Sequence, residues 1–398
     1  MITSQEALSI IENATVDFGV DIVSLSDSVN RILKEQLVTD RPLPPYDRIS
    51  MDGIAIDYQA YQNGQRQFVI QGIAAAGMPK QQLHNSSSCL EVMTGSILPV
   101  GTDTVIQYEH LEIDNGVATI QKEVNPQQNV HQKGKDRSSG EVVVKENQRL
   151  SGAEINVAAS IGKHQLKVAR LPKIMVISTG DELVPINQTP KEHQIRRSNV
   201  FSLVTSLQAM GYQADHSHLL DDKASLRSNI DSYLKQYDVL LLSGGVSKGK
   251  FDFIPVVLEE LGVKKLFHRI QQKPGKPLWF GQKTDGTTVF GFPGNPVSSF
   301  LCFHRYFLHW LSLSLTTQAP SPRYAQLSQE VVFKKDLTYF QEVALEFQKE
   351  GTLAATPYKG NGSGDLANLV RADAFIELPR GKDVFKRGEV YPVYFYRY

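Results

Sequence analysis

Apolar runs alternate with amphipathic stretches most clearly between residues 172 and 316. The apolar run from Ile174 to Ile177 is followed by a helical pattern that Ser198 can begin and Gly211 can end. Helical patterns also flank the run from Val239 to Leu242. Strands that alternate with helices are typical of a mostly parallel sheet covered by helices. The pattern therefore predicts a doubly wound, mostly parallel α/β domain over residues 172–316.

Short β-type patterns, separated by turn-forming residues, occupy two other parts of the chain. One begins at the Pro-rich segment 41–45, and the other follows a Pro-rich linker near residue 320. Thr3 and Glu6 form a capping-box pattern, and a second helical pattern surrounds Val29 to Leu33. These patterns predict three further domains: a discontinuous one (1–40 plus 137–171), an inserted β-rich one (41–136) and a C-terminal β-barrel (317–398).

Composition and charge narrow the class of protein. The 398 residues include 42 basic and 42 acidic side chains, so no net charge attracts the chain to nucleic acid or an anionic membrane. Cys89 and Cys302 lack a metal-type or redox-type spacing, and no stretch approaches the roughly 20 apolar residues of a membrane span. The N-terminus also lacks the pattern of a signal peptide. We expect a cytoplasmic protein without nucleic-acid or membrane partners.

Two loops expected at the carboxyl ends of strands carry candidate chemistry, because ligands of open parallel sheets bind at that edge. Ser178 to Glu182 combines hydroxyls, a glycine and two carboxylates. Ser243 to Gly249 offers glycines, whose backbone N–H groups can approach an oxyanion, and serines that add donors. Either segment alone is as well explained by a tight turn, so its position in the sheet is what favours a site.

Two later loops add positive charge to the same expected crevice. The segment from Lys273 to Pro277 holds two ammonium groups on a proline-stiffened turn, a few residues after Arg269. The segment from Gly291 to Ser298 places Asn295 at a helix cap and Pro296 at the first helical position, which favours anion binding. Four such loops suit a polyanion with an associated metal better than a hydride-transfer cofactor.

In this order and spacing, the motifs resemble those of the molybdopterin molybdenumtransferase family, the bacterial MoeA type, which is also similar to the gephyrin E domain. The matching strings are PPYDRISMDGIAI, VMTGSILPVGTDTVI, ISTGDEL, QIRRSN, LLSGGVSKGKFDF, QQKPGKPLWFG and GFPGNPVSSF. The resemblance implies an α/β plus β multidomain fold in which the discontinuous domain is elongated and mediates dimerisation. It also implies a homodimer in which Asp52 and Thr94, ordinary turn formers when considered alone, reach the α/β domain of the partner subunit.

The same resemblance implies the reaction and the site residues. The expected enzyme is a magnesium-dependent transferase that inserts molybdate into adenylylated molybdopterin and releases AMP. Its catalytic residues are expected to be Asp52, Thr94, Glu182, Asp252, Lys273 and Lys276. Substrate-binding residues are expected at Thr179, Gly180, Ser243, Gly244, Gly245, Ser247, Arg269, Pro293, Asn295, Pro296 and Ser298. Glu182, Asp222 and Asp252 are the carboxylates expected at or near Mg²⁺.

Two positions depart from the family pattern, and two other functions stay open. Arg197 occupies a position that is usually acidic, and Arg269 one that is often lysine. A molybdopterin adenylyltransferase or a nucleotide hydrolase can have a similar α/β domain, but the inserted and C-terminal domains disfavour both. A non-catalytic scaffold is disfavoured by the intact set of loops. The resemblance further implies two protein partners, the molybdopterin adenylyltransferase and the molybdoenzymes that accept the cofactor.

Overall fold

The computed structural model describes residues 1–246, 252–316 and 321–397. Its internal contacts divide the chain into two compact units. The first unit comprises Met1–Ile22, Asn30–Lys34 and Lys167–Tyr398, and the second comprises Val23–Val29 and Glu35–Leu166. The finer division into four domains stays a prediction. Within the described residues, no helix is both long and apolar enough to cross a membrane.

A six-stranded sheet forms the centre of the α/β part of the first unit. Its strands are β1 (Ile174–Thr179), β2 (Ala214–Leu219), β3 (Val239–Ser243), β4 (Lys264–His268), β5 (Trp279–Gln282) and β6 (Thr288–Phe292). They are ordered β2-β1-β3-β6-β5-β4 across the sheet. The first four strands in this order, β2, β1, β3 and β6, are parallel to one another. Strand β5 is antiparallel to both of its neighbours.

Helices cover both faces of this sheet, which confirms the predicted doubly wound architecture. They are α1 (Asn199–Ala209), α2 (Lys223–Gln236), α3 (Ile254–Glu260), α4 (Pro296–Cys302) and α5 (Leu308–Thr316), with a π-helical turn at Phe303–Phe307. Along β1, Val176 joins the apolar core that contains α1, and its neighbour Ile177 joins the core that contains α2 and α3. Because successive side chains of a strand point to opposite faces, the continuous apolar run serves two cores at once.

A closed five-stranded β-barrel follows in the same unit, as predicted. Its strands, in order around the barrel, are Thr338–Phe347, Leu353–Pro357, Arg323–Leu327, Val390–Phe395 and Ala374–Leu378, which pairs again with Thr338–Phe347. A helix at Asn368–Arg371 and two short strands, Val331–Val332 and Val384–Phe385, complete this part. The barrel also pairs with the α/β part, because Gln272–Lys273 lies parallel to Thr338 and Tyr339.

The second unit contains its own six-stranded sheet. The strands are ordered Thr104–Gln107, Gly53–Ile56, Ser88–Val92, Gln67–Ala74, Val117–Ile120 and Leu111–Asp114. Two apolar cores lie on its faces, one of them around Phe68 and Ile106 and the other around Val92 and Val105. Other elements assigned between residues 30 and 162 are strands Leu37–Val38, Arg48–Ile49, Val130–His131 and Val142–Val144, a 3-10 turn Tyr108–His110, and helices Tyr58–Gln62 and Gly152–Ser160.

The N-terminal segments confirm one helical prediction and contradict another. A helix spans Ser4–Glu12, and the capping box of Thr3 and Glu6 is present. No helix forms around Val29 to Leu33, where the prediction was wrong: a 3-10 turn at Ser26–Ser28 precedes Asn30, whose φ of +64° is left-handed. A left-handed residue ends a helix, so the apolar spacing there does not describe a helical face. The remaining assigned strands are Val20–Ser24, Gln165–Ala169, Leu183–Val184 and Ile195–Arg196.

Candidate active site

Three parallel strands end beside one another at the carboxyl edge of the sheet. β1 ends at Thr179, β3 at Ser243 and β6 at Phe292. The Gly244 N–H donates to the Phe292 carbonyl at 3.1 Å, so the loops after β3 and β6 are in direct contact. The helices that follow β1 and β3 pack on opposite faces, which makes this edge a topological switch point.

Close backbone packing at this edge requires glycine at two positions. Gly244 has a φ of +101°, and a Cβ there would lie 2.8 Å from the Thr179 carbonyl oxygen. Gly245 has a φ of +68°, and its Cβ would lie 2.6 Å from Ile254 Cδ1 and 2.9 Å from Thr179 Oγ1. Side chains rarely adopt such φ values, and the backbone of Thr179 cannot yield easily. Gly244 and Gly245, the described glycines of the predicted loop, therefore lie directly over the end of β1.

Asn199, the first residue of α1, ties the loops together. Its Nδ2 donates to Ser243 Oγ at 2.9 Å and to the Gly294 carbonyl at 2.8 Å. Thr179 is 4 % exposed, yet its hydroxyl has no hydrogen-bond partner among the described residues. Buried hydroxyls normally have a partner, so an unpaired one at a ligand-binding edge indicates a place for a substrate oxygen.

The loop with the two lysines lies against α4 and the barrel. Gly275 has a φ of +86°, and its Cβ would lie 2.7 Å from Cys302 Sγ and 3.6 Å from the Ser298 carbonyl oxygen. Lys273 and Lys276 are both exposed. The Lys273 ammonium lies 5.8 Å and 6.0 Å from the ring centroids of two barrel side chains, Phe333 and Tyr339. Rings at this distance attract a cation and restrict where it lies.

The start of α4 is partly occupied by the barrel. Asn295 and Pro296 lie at the cap and the first helical position, as predicted, but the Asn295 side chain makes no capping hydrogen bond. Its Nδ2 donates instead to Ser363 Oγ at 2.9 Å, and the Val297 N–H donates to the Ser363 carbonyl at 3.1 Å. Fewer N–H groups therefore remain for an anion than the sequence indicated, while Ser363 adds a hydroxyl. Pro293 leads into this turn, and Ser298 is buried.

Carboxylates gather at the ends of β1 and β2, and the magnesium contacts of Glu182, Asp222 and Asp252 stay a prediction. Burial, followed by the negative charges of Asp181, Glu182 and Asp252, raises the pKa of Asp221 to about 6. The Asp221 N–H also donates to Asp181 Oδ1 at 3.1 Å. Asp222 accepts from the Ser225 N–H at 2.7 Å and so caps α2. The charge of Glu182 thus acts on Asp221, whereas the Asp222 carboxylate caps α2.

Two other cationic side chains follow strands of this sheet, Arg197 between β1 and α1 and Arg269 directly after β4. Arg197 has a buried Nε without a partner in the described parts of the chain. Burial, and then the charge of Arg197, lowers the pKa of His218, whose Nδ1 lies 3.0 Å from Ser178 Oγ. Arg269 has a left-handed φ of +79°, and its Nε is also buried without a partner in the same residues. These two guanidinium groups are placed to meet added negative charge.

The second unit brings Asp52 and Thr94 into direct contact. The Thr94 N–H and hydroxyl both donate to Asp52 Oδ1 at 2.6 Å. These hydrogen bonds, first from the hydroxyl and then from the N–H, lower the pKa of Asp52 and keep its carboxylate ionised. Gly53 is needed beside it, because a Cβ there would lie 1.9 Å from the Ile106 carbonyl oxygen. Ser247, the remaining predicted site residue, lies outside the described residues.

Family profiles match the chain in three consecutive segments. Residues 2–162 match the MoeA N-terminal region (domain I and II), residues 175–312 the "Probable molybdopterin binding domain", and residues 324–396 the MoeA C-terminal region (domain IV). A molybdopterin molybdenumtransferase of Synechocystis sp. is 42% identical over 398 residues, which cover 99% of this chain and 100% of the relative. The chain belongs to the molybdopterin molybdenumtransferase family.

More distant members of this family agree over the same length. The molybdopterin molybdenumtransferase of Haemophilus influenzae is 29% identical, with 98% of this chain and 97% of the relative covered. A crystal structure of a molybdopterin biosynthesis MoeA protein from Pyrococcus horikosii superposes with a TM-score of 0.85 at 29% identity, covering 100% of both chains. The multidomain α/β plus β fold is therefore that of the MoeA proteins.

Three residues that border this candidate site escaped the sequence patterns. Asn199 stood in a matching string, but only the folded loops show that its amide joins two of them. Asp221 adjoins the predicted Asp222, and the choice between two neighbouring carboxylates depends on which of them caps the helix. Ser363 belongs to a Gly-rich segment of the barrel, 68 positions from its partner Asn295. A Gly and Ser run at 360–364 was the available signal.

Proposed function

We propose that this chain catalyses transfer of molybdenum from molybdate to molybdopterin, the activity named in its relatives. The observation that most supports this is the unpaired, buried Thr179 hydroxyl beneath Gly244 and Gly245. The turn with the two lysines packs against α4, which begins at the same edge of the sheet. A phosphorylated substrate supplies an acceptor for that hydroxyl and for nearby backbone N–H groups. The lysines then attract a second anion.

Adenylylated molybdopterin is the proposed form of the pterin substrate, with AMP as the second product. Its phosphates would lie against Thr179, Gly180 and the loop at Ser243 to Gly245, and Ser247 is proposed to add a donor. Arg269, Lys273, Lys276 and Ser298 would hold molybdate near the dithiolene sulfurs. Backbone N–H groups and fixed cations stabilise charge on phosphoryl and oxyanion groups without reorganising during the reaction.

The carboxylates at the ends of β1 and β2 fit a magnesium site that is shared with the substrate. Among the described residues no three His, Cys, Asp or Glu side chains converge closely enough to hold a metal alone. Mg²⁺ commonly binds one or two carboxylates, several waters and substrate phosphates, so that finding is compatible with Mg²⁺. Burial, and then repulsion by neighbouring carboxylates, raises the pKa of Asp221, and a cation bound nearby would offset that repulsion. When bound, Mg²⁺ would neutralise charge on the phosphoryl group.

A homodimer with composite sites completes the proposal. Thr94 holds the Asp52 carboxylate through two hydrogen bonds, and we assign this pair to the site of the partner subunit. The adenylyltransferase that makes the substrate and the molybdoenzymes that receive the cofactor are the proposed protein partners. The cytoplasm is the proposed compartment.

The activity is tested with purified protein, adenylylated molybdopterin, molybdate and Mg²⁺. We expect AMP release that depends on molybdate, together with cofactor that activates a cofactor-free molybdoenzyme. Formation of adenylylated molybdopterin from ATP and molybdopterin would instead identify an adenylyltransferase. Absence of both reactions, with substrate binding retained, would favour a scaffold and overturn the proposal.

A further inference from the structure

A buried glutamine holds the turn that carries the two lysines. Gln272 is 1 % exposed and directly precedes this turn, residues 273–276, which we call the lysine turn. The Ile270 N–H donates to the Lys276 carbonyl at 2.9 Å and so closes the chain around the turn. Within the closed segment, Gln272 Nε2 donates to the Pro274 carbonyl at 3.1 Å. One buried amide therefore holds the backbone between the two exposed lysines.

The lysine turn lies directly on this amide. A Cβ at Gly275 would lie 2.7 Å from Gln272 Nε2 and 2.7 Å from Cys302 Sγ, so no larger residue fits there. The Cys302 thiol, at the end of α4, also donates to the Gly275 carbonyl at 3.7 Å, which is a weaker contact. Two successive carbonyls of the turn are thus each held by a buried side chain.

Tyr306 fixes the orientation of the Gln272 amide. Its hydroxyl, which is fully buried, donates to Gln272 Oε1. A carbonyl can only accept, so Nε2 must face Pro274 and the acceptor end of the amide faces Tyr306. Burial raises the pKa of Tyr306, and the hydroxyl therefore keeps the proton that it donates. Tyr306 belongs to the π-helical turn Phe303–Phe307, and such turns are frequent at functional sites.

Holding this turn matters most when an anion is bound. Lys273 and Lys276 lie three positions apart, and two like charges on one short turn repel each other until an anion lies between them. A turn that moved freely would have to be ordered during anion binding, and that cost would weaken the affinity. A backbone that is already fixed avoids this cost and keeps both cations in place during the reaction.

We propose that Gln272 is a positioning residue for molybdate binding and that Tyr306 acts through it. Gln272 does not touch the anion. It holds the Pro274 carbonyl, so that Lys273 and Lys276 keep positions that suit one tetrahedral dianion. This inference rests on the proposed function, which assigns molybdate to these lysines, and it adds two buried residues on which their placement depends.

Equilibrium dialysis of the purified protein against radiolabelled molybdate, beside the turnover assay, tests the assignment. Tyr306→Phe keeps the ring but removes the donor, so the dissociation constant of molybdate should rise roughly two- to ten-fold. Gln272→Met keeps the length but removes both hydrogen bonds, and the same constant should rise more than about ten-fold. The double variant should match Gln272→Met within about two-fold, because both changes act on one contact. The KM for the pterin substrate should stay unchanged in all three.

Tyr61→Phe is the matched control for loss of a buried hydroxyl. Tyr61 is 9 % exposed in the second unit, and its hydroxyl oxygen accepts the Val124 N–H at 3.3 Å. This variant should lose stability, measured as melting temperature, without any change in molybdate binding. If it weakens molybdate binding as much as Tyr306→Phe does, the effect is general destabilisation and the proposal is overturned.

Other outcomes are equally decisive. Unchanged molybdate affinity in Tyr306→Phe, or an equal loss of molybdate and pterin binding, would overturn the proposal even if Gln272→Met fails to fold. Absence of molybdate binding by the wild type would overturn it as well. If the wild type transfers molybdenum while Tyr306→Phe binds molybdate normally, only this inference fails. If the variants weaken molybdate binding as expected but the wild type forms no cofactor, the proposed function fails and the positioning role stands.

Discussion

At the scale of single residues, several polar atoms of the crevice lack partners. Among the described residues, Thr179 Oγ1, Arg197 Nε and Arg269 Nε are all buried and unpaired. An unpaired buried polar atom costs roughly 1 to 3 kcal/mol of stability. A folded protein retains such costs mainly where function requires them. Substitutions at these atoms should therefore separate stability from activity.

Thr179→Val removes the hydroxyl and preserves the shape of the side chain. The free energy of unfolding should stay the same or rise by up to about 1 kcal/mol, because an unpaired hydroxyl leaves the interior. The KM for the pterin substrate should rise about ten-fold, since a substrate oxygen loses its donor. Urea denaturation and steady-state kinetics measure the two effects. Ser178→Ala is the control, because its hydroxyl already has a partner in His218 and its removal should cost stability.

Lys276→Ala should weaken the use of molybdate more than the binding of the pterin. A hydrogen bond from a charged donor contributes about 1.5 to 3 kcal/mol, so the molybdate concentration for half-maximal rate should rise ten-fold or more. Lys264→Ala is the matched control, since Lys264 is an exposed lysine at the opposite end of β4. An unchanged molybdate dependence in Lys276→Ala would remove that residue from the site.

Glu182→Gln should reduce magnesium-dependent release of AMP while pterin binding is spared. The amide keeps the shape but removes the charge that would meet Mg²⁺ at the phosphates. Because Glu182 is exposed and folds back over Gly180, its role in stability should be small, about 1 kcal/mol or less. Turnover across a magnesium titration, measured beside the melting temperature, checks this. Near-normal turnover at every magnesium concentration would count against a metal contact.

At the scale of elements, one residue, Asp238, joins the amino ends of three strands. Asp238 precedes β3, accepts two hydrogen bonds from Arg170 at 3.0 and 3.1 Å, and accepts the Lys173 N–H before β1 at 2.7 Å. Its carbonyl accepts the Thr288 N–H, which begins β6. The amino ends of the strands are thereby held in one register. Their carboxyl ends, with Thr179, Ser243 and Phe292, then lie side by side.

Asp238→Asn should lower the free energy of unfolding by about 1 to 2 kcal/mol at pH 7, a value reduced for partial exposure of the pair. Burial alone would raise the pKa of Asp238, but the bonds from Arg170 and Lys173 lower it overall. A carboxylate with a lowered pKa stabilises the fold at pH values above its ordinary pKa near 4. That stability is lost as the pH falls through the lowered pKa. The difference between the two proteins should thus be constant from pH 8 to 5 and shrink below about pH 4. Asp231→Asn, in an exposed pair with Lys235, should cost less than about 0.5 kcal/mol.

At the scale of the whole molecule, local patterns were sufficient for the α/β and barrel architectures. Apolar runs of strand length and capped helical patterns report on burial directly, so β1, β3 and α2 lie where the sequence indicated. Contacts between segments that are distant in the chain could not be predicted from the sequence. Ser363 against Asn295 and the parallel pairing of Gln272 with Thr338 depend on how two folded parts pack. Periodicity also failed around Asn30, where a left-handed residue overrides apolar spacing.

The proposed exchange of side chains between subunits gives the last prediction. Asp52→Ala and Lys276→Ala each remove one exposed charge, the first from the second unit and the second from the α/β part. If each active site combines these parts from different subunits, a mixed dimer contains one site with both changes and one site with neither. Random exchange makes about half of the dimers mixed, so activity should recover to about one quarter of the wild-type value. With molybdate kept well below the half-maximal concentration of Lys276→Ala, each variant alone should remain nearly inactive. If sites are instead built within one subunit, every site in a mixed dimer keeps one defect. No recovery, despite exchange verified by differently tagged chains, would then exclude the composite site.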